Sequence, residues 1–162
     1  MKKGLMFAFA VVVLGGCAST TQINGSLAQH PGATKNAENS YFIDFEGHEI
    51  VELAPGARFS EGRRDAARGI TNKAGETGVF VVKGDIQDKD YRVLPTYRDF
   101  LYGASYGLKD EKGKPGSFVE YTIINQCDKN DRYTSVSDMR GNTVLFTTEK
   151  PCDLLIEFPG SE

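Results

Sequence analysis

The side chains best suited to nucleophilic, redox or metal chemistry are three cysteines and two histidines: Cys17, Cys127, Cys152, His30 and His48. Zinc sites and redox-active thiols use short spacings such as CxxC or HxxxH, and neither occurs here. The sequence also contains no G-x-S-x-G, GxGxxG or P-loop motif. His30 lies in a polar stretch and is expected to be solvated, and His48 is expected in a hairpin turn. We therefore predict no catalytic residue, no metal site and no cofactor.

Acidic residues do not change this expectation. Asp85, Asp88 and Asp90 form the tightest acidic cluster. A calcium loop would add a central glycine and a distal glutamate, which this segment lacks. A solvated loop between two strands is expected instead.

Four arginines after Pro55 form a candidate anion patch: Arg58, Arg63, Arg64 and Arg68. Arginine forks bind phosphate and carboxylate bidentately, so a lipid headgroup, an anionic glycan or an acidic partner could dock here. The alternative is local neutralisation, because Glu61 and Asp65 lie among these arginines.

The segment 91–106 combines aromatic and cationic side chains and is a candidate surface for a partner or ligand. Its residues of interest are Tyr91, Arg92, Tyr97, Arg98, Tyr102 and Tyr106. Exposed tyrosines stack on sugar rings and anchor protein interfaces. The alternative is a role in the core, because the chain has no tryptophan and needs these rings as apolar bulk.

The N-terminus has the order of features found in an export signal. Lys2 and Lys3 precede ten apolar residues, 5–14, a run too short to span a bilayer. The next residues complete the sequence Leu14-Gly15-Gly16-Cys17. This sequence resembles the lipobox of bacterial lipoproteins.

The resemblance implies removal of residues 1–16 and acylation of Cys17 by chains such as palmitate, which anchor a protein to a membrane. Ala18 stands where aspartate would resemble an inner-membrane retention signal. The resemblance therefore implies an outer-membrane lipoprotein facing the periplasm. The remaining chain has 17 basic and 22 acidic residues, a formal charge of −5, which argues against nucleic acid as a partner.

Two cysteines remain if Cys17 is acylated. Thiols in an exported compartment usually pair, so a Cys127–Cys152 disulfide is expected. It would close a loop of 26 residues, counting both cysteines.

The rest of the chain divides into a tether and a body. Residues 18–40 contain no aromatic residue and only two large aliphatic ones, Ile23 and Leu27, which predicts a flexible tether. Residues 41–162 contain short β-branched and aromatic runs separated by turn residues, the pattern of one β-rich domain. The predicted strands are 41–45, 48–53, 78–83, 90–94, 117–125, 132–137, 143–148 and 153–158.

These elements predict a mainly β fold, an antiparallel sandwich or partly closed barrel. One short helix is expected at 61–68, where Arg64 and Arg68 are spaced i,i+4, and another turn of helix near 96–102. The last four strands are expected to form an antiparallel meander, which would bring Cys127 and Cys152 to one end of a sheet.

The anchor, the tether and the lack of a catalytic motif favour a non-enzymatic interaction module of an envelope assembly, bound to the membrane and to an envelope protein. The alternatives are a binder of peptidoglycan, another glycan or a small ligand, including an inhibitor of a cell-wall-active enzyme. An envelope hydrolase using His48 is a third alternative.

Overall fold

The structure, a computed structural model, describes residues 19–160. Its regular elements are twelve strands and one 3₁₀ turn at Asp88–Asp90. The strands are β1 (Thr20–Ser26), β2 (Ser40–Asp44), β3 (Ile50–Glu52), β4 (Arg58–Phe59), β5 (Ala66–Ile70), β6 (Glu76–Lys83), β7 (Arg92–Tyr97), β8 (Tyr102–Ala104), β9 (Glu120–Asn125), β10 (Arg132–Val136), β11 (Leu145–Thr148) and β12 (Leu154–Glu157). Within this range, no helix has the length and apolarity needed to cross a membrane.

The strands form one large sheet and two small ones. The large sheet has six strands in the order β4-β5-β2-β7-β11-β8, and the small sheets have the orders β1-β6-β3 and β10-β9-β12. All strand pairs are antiparallel except β7 and β11, which run parallel. The mainly β prediction is therefore confirmed.

Both small sheets pack against the same face of the large sheet. The register places Ile43 opposite Val93, and alternation along β7 puts Tyr97 on the same face as Val93. Ile43 belongs to the core under the β1-β6-β3 sheet, where Phe80 is completely buried. Tyr97 packs under the β10-β9-β12 sheet. The body thus has two lobes, one from each small sheet, that share the large sheet.

The predicted disulfide between Cys127 and Cys152 is present. Cys127 follows β9 by two residues and Cys152 precedes β12 by two residues. These strands are antiparallel neighbours, so the end of β9 lies beside the start of β12.

The predicted four-strand meander is wrong, although its prediction that Cys127 and Cys152 lie at the same end of a sheet is correct. β11 belongs to the large sheet, between β7 and β8, and β12 takes the place beside β9. All four residues of β11 are buried, whereas exposed and half-buried residues alternate along β12. A strand buried on both faces fits inside a covered sheet, and an alternating strand fits a sheet with one solvated face.

Neither predicted helix forms. In the range 61–68, residues from Ala66 onward belong to β5, which pairs with β2 and β4. Ala66 and Ala67 are both fully buried, one on each face of the sheet, which a strand allows. In the range 96–102, β7 continues to Tyr97, and Arg98 then adopts a left-handed backbone with φ of 65°.

The N-terminal part of the predicted tether is a strand of the body. β1 pairs with β6 along its length, and Ile23 and Leu27 are buried in the first core. Four positions separate these two residues, so both point to the same face of an extended chain. His30, predicted to be solvated, is also buried, with 7% of its surface exposed.

Candidate functional site

All four arginines of the predicted anion patch make contacts with other side chains of the body. Arg58 and Arg68 both contact the carboxylate of Asp99, at 2.8 and 3.4 Å. Arg63 pairs with Asp44 at 2.7 Å and with Asp65 at 3.0 Å. Arg64 stacks on the ring of Phe59, with its guanidinium carbon 4.1 Å from the ring centroid. Of the two nearby acids named in the alternative, Asp65 pairs with Arg63, whereas Asp44 and Asp99 are partners distant in sequence.

Three of the four tyrosines of segment 91–106 are divided between the two cores. Tyr91 packs against Phe45, with ring centroids 5.5 Å apart, in the first core. Tyr97 lies between Tyr133 and Phe146, at 4.6 and 5.1 Å, in the second. Tyr106 also packs against the second core.

The cations of this segment are engaged as well. Arg92 contacts Asp44 at 3.4 Å, and Arg98 contacts Asp131 at 2.8 Å. Arg98 also stacks on Tyr97, Phe100 and Phe146. Of the six residues, Tyr102 alone is exposed, at 41%. The segment therefore supports the two cores and does not form one continuous surface.

Two further apolar side chains are exposed, in loops whose backbones are hydrogen-bonded to each other. Phe118 is 60% exposed and Met139 is 63% exposed, in two neighbouring loops of the second lobe. The amide of Phe118 donates to the carbonyl of Asp138, and the hydroxyl of Ser117 donates to the carbonyl of Met139. We call these two residues the Phe118–Met139 patch.

The frame behind this patch is well bonded. The Ser137 hydroxyl donates to the Gly116 carbonyl at 2.6 Å and accepts the Val119 amide at 2.8 Å. Oδ1 of Asp138 accepts the amides of Arg140 and Asn142 at 2.9 and 2.8 Å. Ser137 therefore ties one loop to the other on both sides of Phe118, and Asp138 stabilises the turn that contains Met139.

The backbone of Phe118 adds a second unusual feature. Its φ is +56°, in the left-handed region that side chains other than glycine and asparagine seldom adopt. Holding a bulky residue there costs on the order of 1–3 kcal/mol, and such strain concentrates at functional sites. Phe118 thus combines an exposed aromatic ring with a strained backbone.

Arg140 joins the two lobes beside the patch. Its guanidinium donates to the carbonyls of Asp88, Lys89 and Tyr91, at 2.9, 3.2 and 3.0 Å. These hydrogen bonds from Arg140 hold the 3₁₀ turn Asp88–Asp90 against the second lobe. No cluster in residues 19–160 has the three or more acidic, histidine or cysteine groups suited to a metal ion.

His30 lies at the same junction, in a cleft of about 430 Å³ between the lobes. Its Nδ1 accepts the Gly32 amide at 3.0 Å, so the proton of the neutral ring is on Nε2. Nε2 is buried without a hydrogen-bond partner, 3.8 Å from the Asp138 carboxylate. Burial lowers the pKa of His30, and Asp138 and the Asn142 backbone oppose this effect more weakly.

The lowered pKa of His30 predicts a pH-dependent stability. The unfolded chain, with a histidine pKa of about 6.5, binds a proton more readily than the folded protein. His30 therefore contributes to the free energy of unfolding at pH values above about 6.5, and this contribution is lost as the pH falls through that value. Unfolding by urea at pH 7.5 and 5.5 should show lower stability at pH 5.5.

His30→Gln should flatten this dependence, and His48→Gln is the matched control for loss of a histidine. An unchanged pH dependence in His30→Gln would contradict this account of the buried imidazole.

No protein-family model matches the chain, and neither the curated proteins nor the solved structures include a match. The function is therefore argued from the residues alone. The predicted signal segment 1–16 and the predicted acylation site Cys17 lie outside the described residues.

Sequence reasoning missed the Phe118–Met139 patch. Phe118 was included in a predicted strand, 117–125, but β9 begins at Glu120. The available signal was the preceding run Lys112-Gly113-Lys114-Pro115-Gly116, a turn-forming sequence that runs directly into Ser117 and Phe118. A phenylalanine at the end of a glycine- and proline-rich turn is a candidate for exposure.

Proposed function

We propose that the protein is a lipid-anchored outer-membrane lipoprotein that acts in the periplasm as a non-enzymatic interaction module of an envelope assembly. The observation that carries the interaction role is the Phe118–Met139 patch, in which two large apolar side chains are presented on a bonded frame. The lipobox resemblance of residues 14–17 supports the anchor, since two or three acyl chains give stable membrane attachment.

The chemistry of the patch fits a protein partner with an apolar pocket. Aromatic side chains dominate the energetics of protein interfaces, and methionine adapts to irregular apolar surfaces. The backbone of Phe118 is already held in the free protein, so binding need not order this part of the chain again. We therefore assign Phe118 as the main anchor and Met139 as its neighbour in the interface.

Phe118→Gly tests this role with little risk to folding. Glycine adopts positive φ freely, so the variant should be as stable as the wild type or more stable, by up to about 1–3 kcal/mol. Loss of an interface anchor typically costs at least about 2 kcal/mol, or roughly 30-fold in affinity. The measurement is cross-linking in cells with the lipidated, C-terminally tagged protein, followed by capture and mass spectrometry.

The expected result is a recurrent envelope protein that is captured with the wild type and lost with Phe118→Gly. Ile70→Ser is the matched control, because Ile70 is 64% exposed on β5, away from the patch. Equal capture by Phe118→Gly and the wild type would contradict the assigned role.

A binder of a glycan or small ligand is the second candidate, and the cleft beside His30 favours it. The cleft is lined by polar and aromatic side chains, among them Asn24, Gln29, Tyr91 and Asn142. Capture of cell-wall fragments in place of a protein, unaffected by Phe118→Gly, would favour this candidate. Substitution of Gln29 by leucine should then weaken the capture.

A further inference from the structure

The chain enters the folded body at a fixed point. The carbonyl of Ser19 accepts the amide of Gly84 at 2.8 Å, and Thr20 lies opposite Lys83 in the β1–β6 pair. The hydroxyl of Thr21 donates to the Gly84 carbonyl at 2.6 Å and accepts the amide of Ile86 at 3.0 Å. Ser19 is therefore already part of the sheet.

This position limits the distance between the body and an acyl anchor on Cys17. Only two residue steps separate Cys17 from Ser19, and two steps of extended chain span at most about 7 Å. The headgroup layer on each side of a bilayer is about 5–7 Å thick. A tether of 23 residues would have held the body about 25–30 Å away on average. Because β1 is part of the sheet, an acyl anchor on Cys17 cannot leave the body about 25–30 Å from the membrane.

The surface around Ser19 suits a layer of zwitterionic headgroups. We define the Ser19 pole as Ser19, Gly47–Glu49 and Lys83–Asp85. Lys83 and Glu49 pair at 2.9 Å and cancel in charge, and the His48 ring lies beside Gly84. Asp85 adds one exposed carboxylate. These charged and polar groups suit contact with the phosphate and amine of phospholipid headgroups. They do not suit burial in the acyl core of the membrane.

We propose that the Ser19 pole rests on the phospholipid headgroups, so that the anchored body has a fixed orientation and does not swing on a tether. This inference depends on the acylation of Cys17 proposed above. It assigns the pole as a lipid-contacting surface, with β1 and β6 leading away from the membrane.

Fluorescence quenching tests the orientation, because the chain contains no tryptophan. Asp85→Trp places one reporter at the pole. Ala74→Trp places the control in the exposed turn at the other end of β6, about 25 Å away along eight residues of strand. The lipidated variants are reconstituted in phosphatidylcholine vesicles, with and without a nitroxide on the headgroup of a fraction of the lipid.

The expected result is loss of fluorescence at position 85 with nitroxide lipid and no loss at position 74. Inserting a flexible Gly/Ser segment of 12 residues between Ala18 and Ser19 should abolish the loss at 85 while the protein still floats with the vesicles. Equal quenching at the two positions would overturn the inference and leave the acylation proposal standing.

Flotation of Cys17→Ala, expressed in the same cells, tests the acylation itself. The variant should no longer float with vesicles. If the variant floats as the wild type does although residues 1–16 have been removed, attachment does not depend on Cys17, and both the anchor proposal and the orientation inferred from it fail.

Discussion

Replacing Leu27 with alanine is expected to lower the free energy of unfolding by about 2–5 kcal/mol, the usual cost of deleting a buried leucine side chain. Leu27 is 1% exposed and belongs to the first core with Ile23 and Phe80. Its amide donates to the carbonyl of Gly75 at 2.8 Å, which joins the end of β1 to the turn before β6. Urea unfolding of the soluble body from residue 18 onward measures the change.

Leu101→Ala is the matched control. Leu101 is 53% exposed, and a surface truncation should change stability by less than about 0.5 kcal/mol. If residues 18–40 were a solvated tether, the two variants would be equally stable. Such a result would contradict the placement of β1 in the sheet.

Removing the disulfide is the second change with a large expected effect. The double variant Cys127→Ser/Cys152→Ser should be about 3–4 kcal/mol less stable, because the bridge closes a loop of 26 residues and restricts the unfolded chain. Cys127 is exposed and Cys152 half-buried, so the serines leave no fully buried polar group.

Urea unfolding of the double variant and of the reduced wild type should give the same loss of stability. A reduced wild type as stable as the oxidised protein would show that the loop closure contributes nothing. A double variant much less stable than the reduced wild type would instead point to a packing role for the sulfur atoms.

The β-rich character and the disulfide could be predicted because each depends on local features. Runs such as Val79–Val82 and Tyr121–Ile124 contain the β-branched and aromatic residues that strands prefer, and turn residues separate them. The cysteine pairing followed from counting the thiols left in an exported chain. Neither prediction required knowledge of which strands are neighbours.

Strand neighbours could not be predicted, because pairing is a property of the whole fold. β11 and β12 are both short apolar runs, and their different burial becomes visible only once β11 lies between β7 and β8. β1 was missed because an edge strand with one buried face needs few apolar residues. Its inward positions carry Thr21, Ile23 and Gly25, of which only Ile23 is a large aliphatic residue.

The candidate site was harder to predict than the fold. The tyrosines of segment 91–106 have the composition of an interface, but three of the four rings pack against two cores in a chain without tryptophan. Phe118 is a residue type that usually lies in a core, yet here it is exposed and its backbone has a positive φ. Whether an apolar residue is exposed depends on the geometry of its loop, which cannot be predicted from amino-acid composition.

Amide hydrogen exchange of the soluble body from residue 18 onward tests most directly the central claim that β1 is a strand of the folded body. The amides of Gly25 and Leu27 donate to Oγ1 of Thr77 at 2.9 Å and to the Gly75 carbonyl at 2.8 Å. We expect both amides to be protected to the same order as the amides of β6, since β1 and β6 open together. Exchange at the rate of an unstructured chain would contradict the claim and restore a free tether between Cys17 and the body.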